Sequence, residues 1–401
     1  MAPIRVGIIG LSTTSDATNW AVEAHLPYLQ SSDKYQIVAL CNSSVDKAKA
    51  SIEKFKLSSS TKAYGSPSDM AQDADVDLAV CVVGVARHYE VLKPMLEAGK
   101  DIYTELPLAQ TIDQVRELES LAQQKGVRTL FGMQGQANPV ILTLKRIIDE
   151  GKIGKVLSST VTAYAEQFAG GPTPKGLATI HDRKIGADFM TVWFLHSKST
   201  ERSHHHLADL DLAFNFVLHT LGELSSFDSM LGLVHPKVTV NDPKNPEKGA
   251  MEIITATSPD QVFLQGRLQS EALLTYHLEG GKPFPGQPAL QWHIVGDKGE
   301  LFVTNPVALM DIMHGGVKVL LKEGGSKVAS EVELPADAAV DNLKHPAQNV
   351  GRLYEAFANR ETELYADWKL ARVRHELINE IYERSDGEQA FGAKAKYLDY
   401  P

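Results

Sequence analysis

The chain has 401 residues and a formal net charge of −10. This length exceeds one ordinary hydrophobic core and favours two domains, and the negative charge disfavours direct binding to nucleic acid. No apolar run reaches the length of a membrane span, and the two cysteines, Cys41 and Cys81, lie in short apolar runs. We therefore predict a globular protein of the reducing cytoplasm, without membrane or nucleic-acid partners.

The first part of the chain alternates between short apolar runs and amphipathic segments. Apolar runs that favour buried strands lie at 4–9, 36–42, 77–84, 102–106 and 127–133. Helical segments lie between and after them, at 44–57, 87–98, 111–125 and 138–150. Pro94 should kink or shorten the second of these helices. Strands that alternate with helices in this way predict a doubly wound parallel sheet of the Rossmann type.

A candidate phosphate site follows the first strand. The strand ends at Gly10, and the small polar residues Ser12, Thr13 and Thr14 lead toward a helix N-terminus. Backbone N–H groups and the helix dipole favour anions at such a point. The dinucleotide fingerprint G-x-G-x-x-G keeps only its first glycine here. By itself, the turn is as consistent with a merely buried first strand as with dinucleotide binding.

The end of the second predicted strand bears on the choice of dinucleotide. An acidic residue at this point would bind the adenosine 2′-hydroxyl of NAD. The sequence instead has Asn42, Ser43 and Ser44, with Lys47 close behind. Because a 2′-phosphate requires the absence of a carboxylate, we predict NADP in preference to NAD.

After Gly154 the pattern changes to half-exposed strands, at 156–167, 251–258, 262–268, 273–278 and 290–295. Turn residues separate these strands, which is typical of an antiparallel sheet, and helices follow at 346–385. We predict a dinucleotide-binding domain over 1–134 and an α+β domain with an open, mostly antiparallel sheet over 135–401. That sheet is expected to line a substrate cleft or to pair two subunits in a homodimer.

Several motifs along the chain resemble one known family. GIIG at 7–10, VARHY at 85–89, ELPLA at 105–109 and DEGKIGKV at 149–156 look like the glucose–fructose oxidoreductase/inositol dehydrogenase (Gfo/Idh/MocA) family. Later motifs resemble its fungal branch, which contains both oxidoreductase-like proteins and a transcriptional repressor; they are GGKPF at 280–284, WHIVGDKGEL at 292–301 and NVGRLYEAFAN at 349–359.

The resemblance implies a nicotinamide dinucleotide on the first domain, with its ring at a cleft that faces the sheet of the second domain. It further implies cofactor contacts at Val83, His88, Glu105, Leu106 and Gln134. For His88, which opens a helix, a ligand contact and a capping role are equally consistent with the sequence. His25, on the first helix, is expected to be a core or stacking residue.

Two catalytic groups of that family are missing. The Glu-Lys-Pro motif reads Glu-Leu-Pro here, and Leu106 cannot donate or accept a proton. The family's aspartate four residues before a histidine is replaced by Val192, while His196 is retained. A substitute proton donor is therefore sought among His181, Lys184 and His196, although 181–184 fits an exposed polar loop equally well.

A histidine-rich stretch follows, with three consecutive histidines at 204–206. Adjacent histidines point in different directions on any regular element, and no cysteine or suitably spaced glutamate accompanies them. We predict no metal site and a surface loop over 197–209.

Two functions remain open. The first is an NAD(P)-dependent oxidoreductase that transfers hydride to or from a small carbonyl, alcohol or imine substrate. The second is a non-catalytic NAD(P)-binding transcriptional regulator, which would bind a protein partner and could reside in the nucleus. The missing lysine and aspartate favour the regulator, whereas the wide use of this fold in enzymes favours the oxidoreductase, which is our prediction.

Overall fold

Six parallel strands form the sheet of the first domain. They are β1 (Ile4–Ile9), β2 (Tyr35–Cys41), β3 (Lys62–Tyr64), β4 (Leu78–Cys81), β5 (Asp101–Thr104) and β6 (Thr129–Phe131). The computed structural model describes residues 2–13, 19–165, 172–185, 214–242, 250–308, 316–387 and 396–397.

The strand order across this sheet is β3-β2-β1-β4-β5-β6. The chain therefore winds outward from β1 on one side and then crosses to β4 on the other. The carboxyl ends of β1 and β4 form the switch point at which doubly wound sheets bind their ligands. The predicted Rossmann-type sheet is confirmed.

Helices cover both faces of the sheet. They are α1 (Leu26–Ser31), α2 (Val45–Lys54), α3 (Pro67–Ala71), α4 (His88–Glu97), α5 (Ile112–Lys125) and α6 (Pro139–Asp149). Pro94 lies inside α4, which continues past it to Glu97. Proline has no N–H group, so the carbonyl four residues earlier lacks its usual helical hydrogen bond. That carbonyl belongs to Glu90, which is exposed, so water can bind it instead.

The second domain contains an eight-stranded and a three-stranded sheet. Its strands are β7 (Val156–Tyr164), β8 (Thr173–Pro174), β9 (Leu224–Gly232), β10 (Lys237–Asn241), β11 (Ala250–Thr255), β12 (Gln261–Leu268), β13 (Leu273–Glu279), β14 (Leu290–Gly296), β15 (Gly299–Asn305), β16 (Lys318–Glu323) and β17 (Ser330–Glu331). The large sheet has the order β17-β16-β15-β14-β7-β13-β12-β9, and the small one β11-β10-β8.

The large sheet is mostly antiparallel, as predicted, with one parallel pair at its centre. β7 runs parallel to β13 and antiparallel to β14. Since β7 and β13 are separated by a long stretch of chain, no hairpin turn fixes their relative direction. Local sequence patterns therefore carry no information on this pair.

The open face of the large sheet exposes apolar side chains. Phe263 on β12 pairs with Met230 on β9 and with His277 on β13, and its ring stacks on that of His277 with centroids 4.2 Å apart. Met230 is 62% and Phe263 40% exposed. A homodimer that uses this face remains a prediction.

Three further α-helices lie within the described residues: α7 (Asn215–Leu221), α8 (Ala347–Asn359) and α9 (Trp368–Ser385). The last two belong to the segment that the sequence assigns to the second domain, yet α8 packs in one hydrophobic cluster with strands β1 and β4. From α9, Arg372 bonds to Glu119 of α5, and Arg384 donates to the carbonyl of Phe227 on β9. Helix α9 thus joins the two domains. Of the helices the structure describes, none is both long and apolar enough to cross a bilayer.

Candidate functional site

The turn after β1 passes directly against the end of β4. Gly10 has a φ of +103°, and a Cβ atom there would lie 2.2 Å from the carbonyl oxygen of Val82. It would also lie 2.8 Å from Cγ1 of Val83, which places this predicted cofactor residue beside the turn. Only glycine fits this position. The predicted glycine turn therefore lies at the switch point of the sheet.

Side chains from the following elements hold the carbonyl groups of this turn. The Leu11 carbonyl accepts hydrogen bonds from Asn42 Nδ2 at 2.8 Å and from Ser51 Oγ at 2.7 Å. The Ser12 carbonyl accepts one from Asn19 Nδ2 at 2.6 Å. Carbonyl oxygens repel phosphate, so a turn whose carbonyls are bound by the protein is better suited to an anion.

The same arrangement continues at Thr13. Lys54, in the last turn of α2, donates from its ammonium group to the Thr13 carbonyl. A cation is thereby placed beside the turn predicted to bind phosphates. Thr14, which was predicted with Ser12 and Thr13, lies outside the described residues.

The residues at the end of β2 divide into two pairs. Asn42 is bound to the glycine turn, and the Ser44 hydroxyl accepts from the N–H of Lys47 at 3.3 Å as the N-cap of α2. Ser43 and Lys47 are exposed, and the Lys47 ammonium donates to Ser43 Oγ at 3.0 Å. All four residues were predicted to bind the cofactor. The side chains of Asn42 and Ser44 make hydrogen bonds within the protein that stabilise the turn and the start of α2.

His88 joins the segments that follow β4 and β5. Its Nδ1 lies 2.8 Å from the carbonyl oxygen of Pro107, and its Nε2 lies 2.9 Å from that of Val83. The side chain is 1% exposed and does not cap α4. Both ring nitrogens thus lie at hydrogen-bonding distance from main-chain oxygens. The sequence analysis considered a ligand contact and a helix cap for His88, but not this arrangement.

Glu105 forms one end of a fully buried hydrogen-bonded chain whose middle member is His25. Its Oε1 is 2.8 Å from His25 Nε2, and His25 Nδ1 is 2.8 Å from the hydroxyl of Tyr354 on α8. All three side chains are 0% exposed. A Cβ atom at Gly132 would lie 2.9 Å from Glu105 Oε2, so the carboxylate packs directly on the backbone after β6. His25 was predicted as a core residue; its bond to Glu105 had no local signal.

Leu106 is 1% exposed and belongs to a large hydrophobic cluster. Two positions on, the N–H of Leu108 donates to Nε2 of His375, a ring whose pKa is lowered to about 3 by burial and which is therefore neutral. The side chain at position 106 is therefore buried and apolar, and it can supply no proton.

Two buried polar side chains lie near the ends of β5 and β6. Neither the Gln134 amide nor the Thr104 hydroxyl has a hydrogen-bond partner within the described part of the chain, and both side chains are 0% exposed. An unsatisfied buried polar group costs free energy, so both are suited to contacts with a bound polar molecule. Together with Gly10, Gln134 fits a dinucleotide that lies along the carboxyl ends of the strands.

The second-domain candidates lie beside the small sheet. His181 is 6% exposed, its Nε2 is 3.0 Å from Thr173 Oγ1, and burial lowers its pKa to about 4. It is therefore neutral at physiological pH and suited to accept a proton rather than to donate one. Lys184 is exposed. His196, Val192 and the predicted loop at 197–209 lie outside the described residues.

A cavity of about 590 Å³ lies beside edge strand β6 and is lined by Arg128, Gln136, His219 and Trp368, among others. It contains none of the residues predicted for cofactor or catalysis, and we do not assign the substrate to it. No group of three or more potential metal ligands occurs among the residues that the structure describes.

The parallel sheet with a glycine turn at its switch point, joined to an α+β domain, defines a two-domain dinucleotide-binding protein. Residues 4–133 match a family model described as the oxidoreductase family with an NAD-binding Rossmann fold. Residues 139–305 match the model of the Gal80p C-terminal domain. The first domain thus matches the Gfo/Idh/MocA oxidoreductase family, and the following segment resembles Gal80.

Two relatives with different roles match nearly the whole chain. The galactose/lactose metabolism regulatory protein GAL80 of Saccharomyces cerevisiae is 26% identical, over 89% of this chain and 82% of the relative. Dehydrogenase aclE of Aspergillus oryzae is 27% identical, over 96% and 97%. A crystal structure of a super-repressor mutant of S. cerevisiae Gal80p superposes with a TM-score of 0.82 at 24% identity over the full length of both chains, which supports the fold.

Proposed function

We propose that this protein is an NADP(H)-dependent oxidoreductase whose proton donor or acceptor is not the family's lysine. The hydride passes between the nicotinamide ring and a small carbonyl, alcohol or imine substrate. The observation on which the proposal rests is the turn at Gly10. Only glycine fits at this position, and side chains of the protein donate hydrogen bonds to the carbonyl that follows it. The match of 4–133 to an NAD-binding family model supports the same cofactor class.

The preference for NADP rests on Ser43 and Lys47. Both are exposed at the end of β2, and their side chains are 3.0 Å apart. A hydroxyl donor beside an ammonium group suits a 2′-phosphate.

Replacing Ser43 with aspartate should move the preference toward NAD(H) by about 1–3 kcal/mol, because the carboxylate repels the 2′-phosphate and binds the free 2′-hydroxyl. Fluorescence titration of both variants with NADPH and NADH measures this shift. A wild type that binds NADH more tightly than NADPH would contradict the assignment.

His181 is the better of the two described candidates for moving the substrate proton. It is buried and neutral, whereas Lys184 is exposed. A neutral imidazole accepts the proton that an alcohol releases when its hydride leaves, so the favoured direction is oxidation of an alcohol by the oxidised cofactor.

The decisive experiment is turnover with NADP⁺ and NADPH on a panel of sugars, polyols, ketones and imines. His181→Ala should lower kcat by about 10²–10⁴-fold while cofactor affinity is unchanged, and Lys184→Ala serves as the matched control with near wild-type turnover. The rate of alcohol oxidation should fall only as the pH approaches about 4, where His181 becomes protonated. Wild-type turnover by His181→Ala would refute this assignment.

A second function is favoured by two observations. The position of the family's lysine is filled by a buried leucine, Leu106, and 139–305 match the Gal80p C-terminal model. Tight cofactor binding without turnover on any substrate of the panel would support a non-catalytic regulator that binds a protein partner, in the nucleus or the cytoplasm.

A further inference from the structure

His88 is held between two hydrogen-bond acceptors. Its Nδ1 lies 2.8 Å from the carbonyl oxygen of Pro107 and its Nε2 lies 2.9 Å from that of Val83. A carbonyl oxygen only accepts, and a neutral imidazole carries a single N–H donor. A neutral ring would therefore direct one nitrogen lone pair at a carbonyl oxygen, in a side chain that is 1% exposed.

Turning the ring over does not remove this conflict. Ring carbons would then take the places of the nitrogens, at 2.8 and 2.9 Å from the same oxygens. Contacts between a C–H group and a carbonyl oxygen normally measure about 3.3–3.6 Å. The doubly protonated ring is the form that provides a donor for each oxygen.

We propose that His88 is an imidazolium cation in the folded protein and that it sets a positive charge at the nicotinamide end of the dinucleotide site. The placement follows from its two partners. Val83 lies against Gly10 at the switch point, and Pro107 follows Leu106, the position of the family's lysine. The part of the inference that concerns the cofactor rests on the proposed function.

The charged and titratable groups on the neighbouring segments are compatible with a positive charge on His88. Arg87 and Glu90 are exposed on the same stretch of chain. Glu105, which precedes Leu106, is bonded to His25 at 2.8 Å. His375, which accepts from Leu108, is neutral because burial lowers its pKa to about 3.

A positive charge at this end of the site discriminates between the two redox states of the cofactor. The oxidised nicotinamide ring is itself a cation and the reduced ring is neutral, so a nearby imidazolium repels only the oxidised form. The protein should therefore bind NADPH more tightly than NADP⁺, by about tenfold. The bound cofactor also becomes easier to reduce, which assists the removal of hydride from an alcohol.

The charge itself is tested without cofactor. In the full-length protein labelled with ¹⁵N-histidine, the His88 ring should show two protonated nitrogens at about pH 8, where a free histidine is neutral. His88→Gln assigns the signals by their loss, and His293→Gln, at a partly exposed histidine that lies 2.7 Å from Glu300, controls for general perturbation. A singly protonated His88 ring at that pH would overturn the inference.

The effect on the cofactor is tested by titrating wild type and His88→Gln with NADP⁺ and NADPH. The neutral glutamine should remove the tenfold preference for NADPH, chiefly by tighter binding of NADP⁺, which a merely structural loss would not produce. An unchanged ratio would refute the electrostatic role. A doubly protonated ring in a protein that binds neither form would support the charge and overturn its role toward a cofactor, together with the proposed function.

Discussion

Replacement of Gly10 by alanine is expected to abolish dinucleotide binding and to destabilise the protein by about 3 kcal/mol or more. The residue has a φ of +103°, which side chains rarely adopt, and the new Cβ atom would lie 2.2 Å from the Val82 carbonyl oxygen. Both the turn and the end of β4 would have to move apart. The carbonyl contacts that hold Leu11 and Ser12 would be displaced with them, and the phosphate site depends on these contacts.

Gly126 is the matched control for this substitution. It also has a positive φ, +63°, at the end of α5, but a Cβ atom there would meet nothing within 4 Å. Gly126→Ala should therefore cost only the backbone strain, about 1–2 kcal/mol, and leave cofactor affinity unchanged. Denaturant unfolding and NADPH titration of both variants measure the difference. Wild-type NADPH affinity in Gly10→Ala would show that the close approach to β4 has no bearing on binding.

The largest effect on stability outside the turn is expected from Glu105→Leu. The leucine is of similar size but cannot accept the hydrogen bond from His25, which lies 2.8 Å away and is 0% exposed. Removing one partner of a buried pair leaves the other unsatisfied and costs about 3–5 kcal/mol. Because Glu105 also precedes Leu106, cofactor affinity should fall as well.

An exposed pair provides the comparison. Glu117 lies 2.8 Å from Lys93 in a solvent-accessible ion pair, so Glu117→Leu should cost far less stability than Glu105→Leu. The double variant Glu105→Leu with His25→Leu should recover part of the lost stability, since it removes both polar partners together. Chemical denaturation of the wild type, Glu105→Leu, His25→Leu and the double variant gives the coupling energy, and Glu117→Leu is measured beside them. A cost for Glu105→Leu no larger than for Glu117→Leu would mean that the buried chain does not stabilise the fold.

Much of the first domain was predictable from the chain alone. Parallel strands are buried on both faces, so each appears in the sequence as a continuous apolar run, and Val6 and Ile8 are indeed 0% exposed. The predicted strands at 77–84 and 102–106 were too long, since β4 ends at Cys81 and β5 at Thr104. The residues just past these ends leave the sheet to form the site, and their apolar character does not distinguish them from strand residues.

Roles that depend on distant contacts were not predictable. His25, Glu105 and Tyr354 form one chain although the first and last are 329 positions apart. No local periodicity encodes such a pair. The same holds for Asn42, whose hydrogen bond to the carbonyl of Leu11 was indicated by no local pattern.

The amino-acid sequence by itself determined the class of fold and the glycine turn, because strand periodicity and turn chemistry are local properties. The tertiary structure alone decided that β7 and β13 run parallel, that α8 packs on the first domain, and that His88 lies between the carbonyl oxygens of Val83 and Pro107. These features arise where segments remote in the chain meet, and there packing and hydrogen bonding between them, rather than local preference, set the geometry.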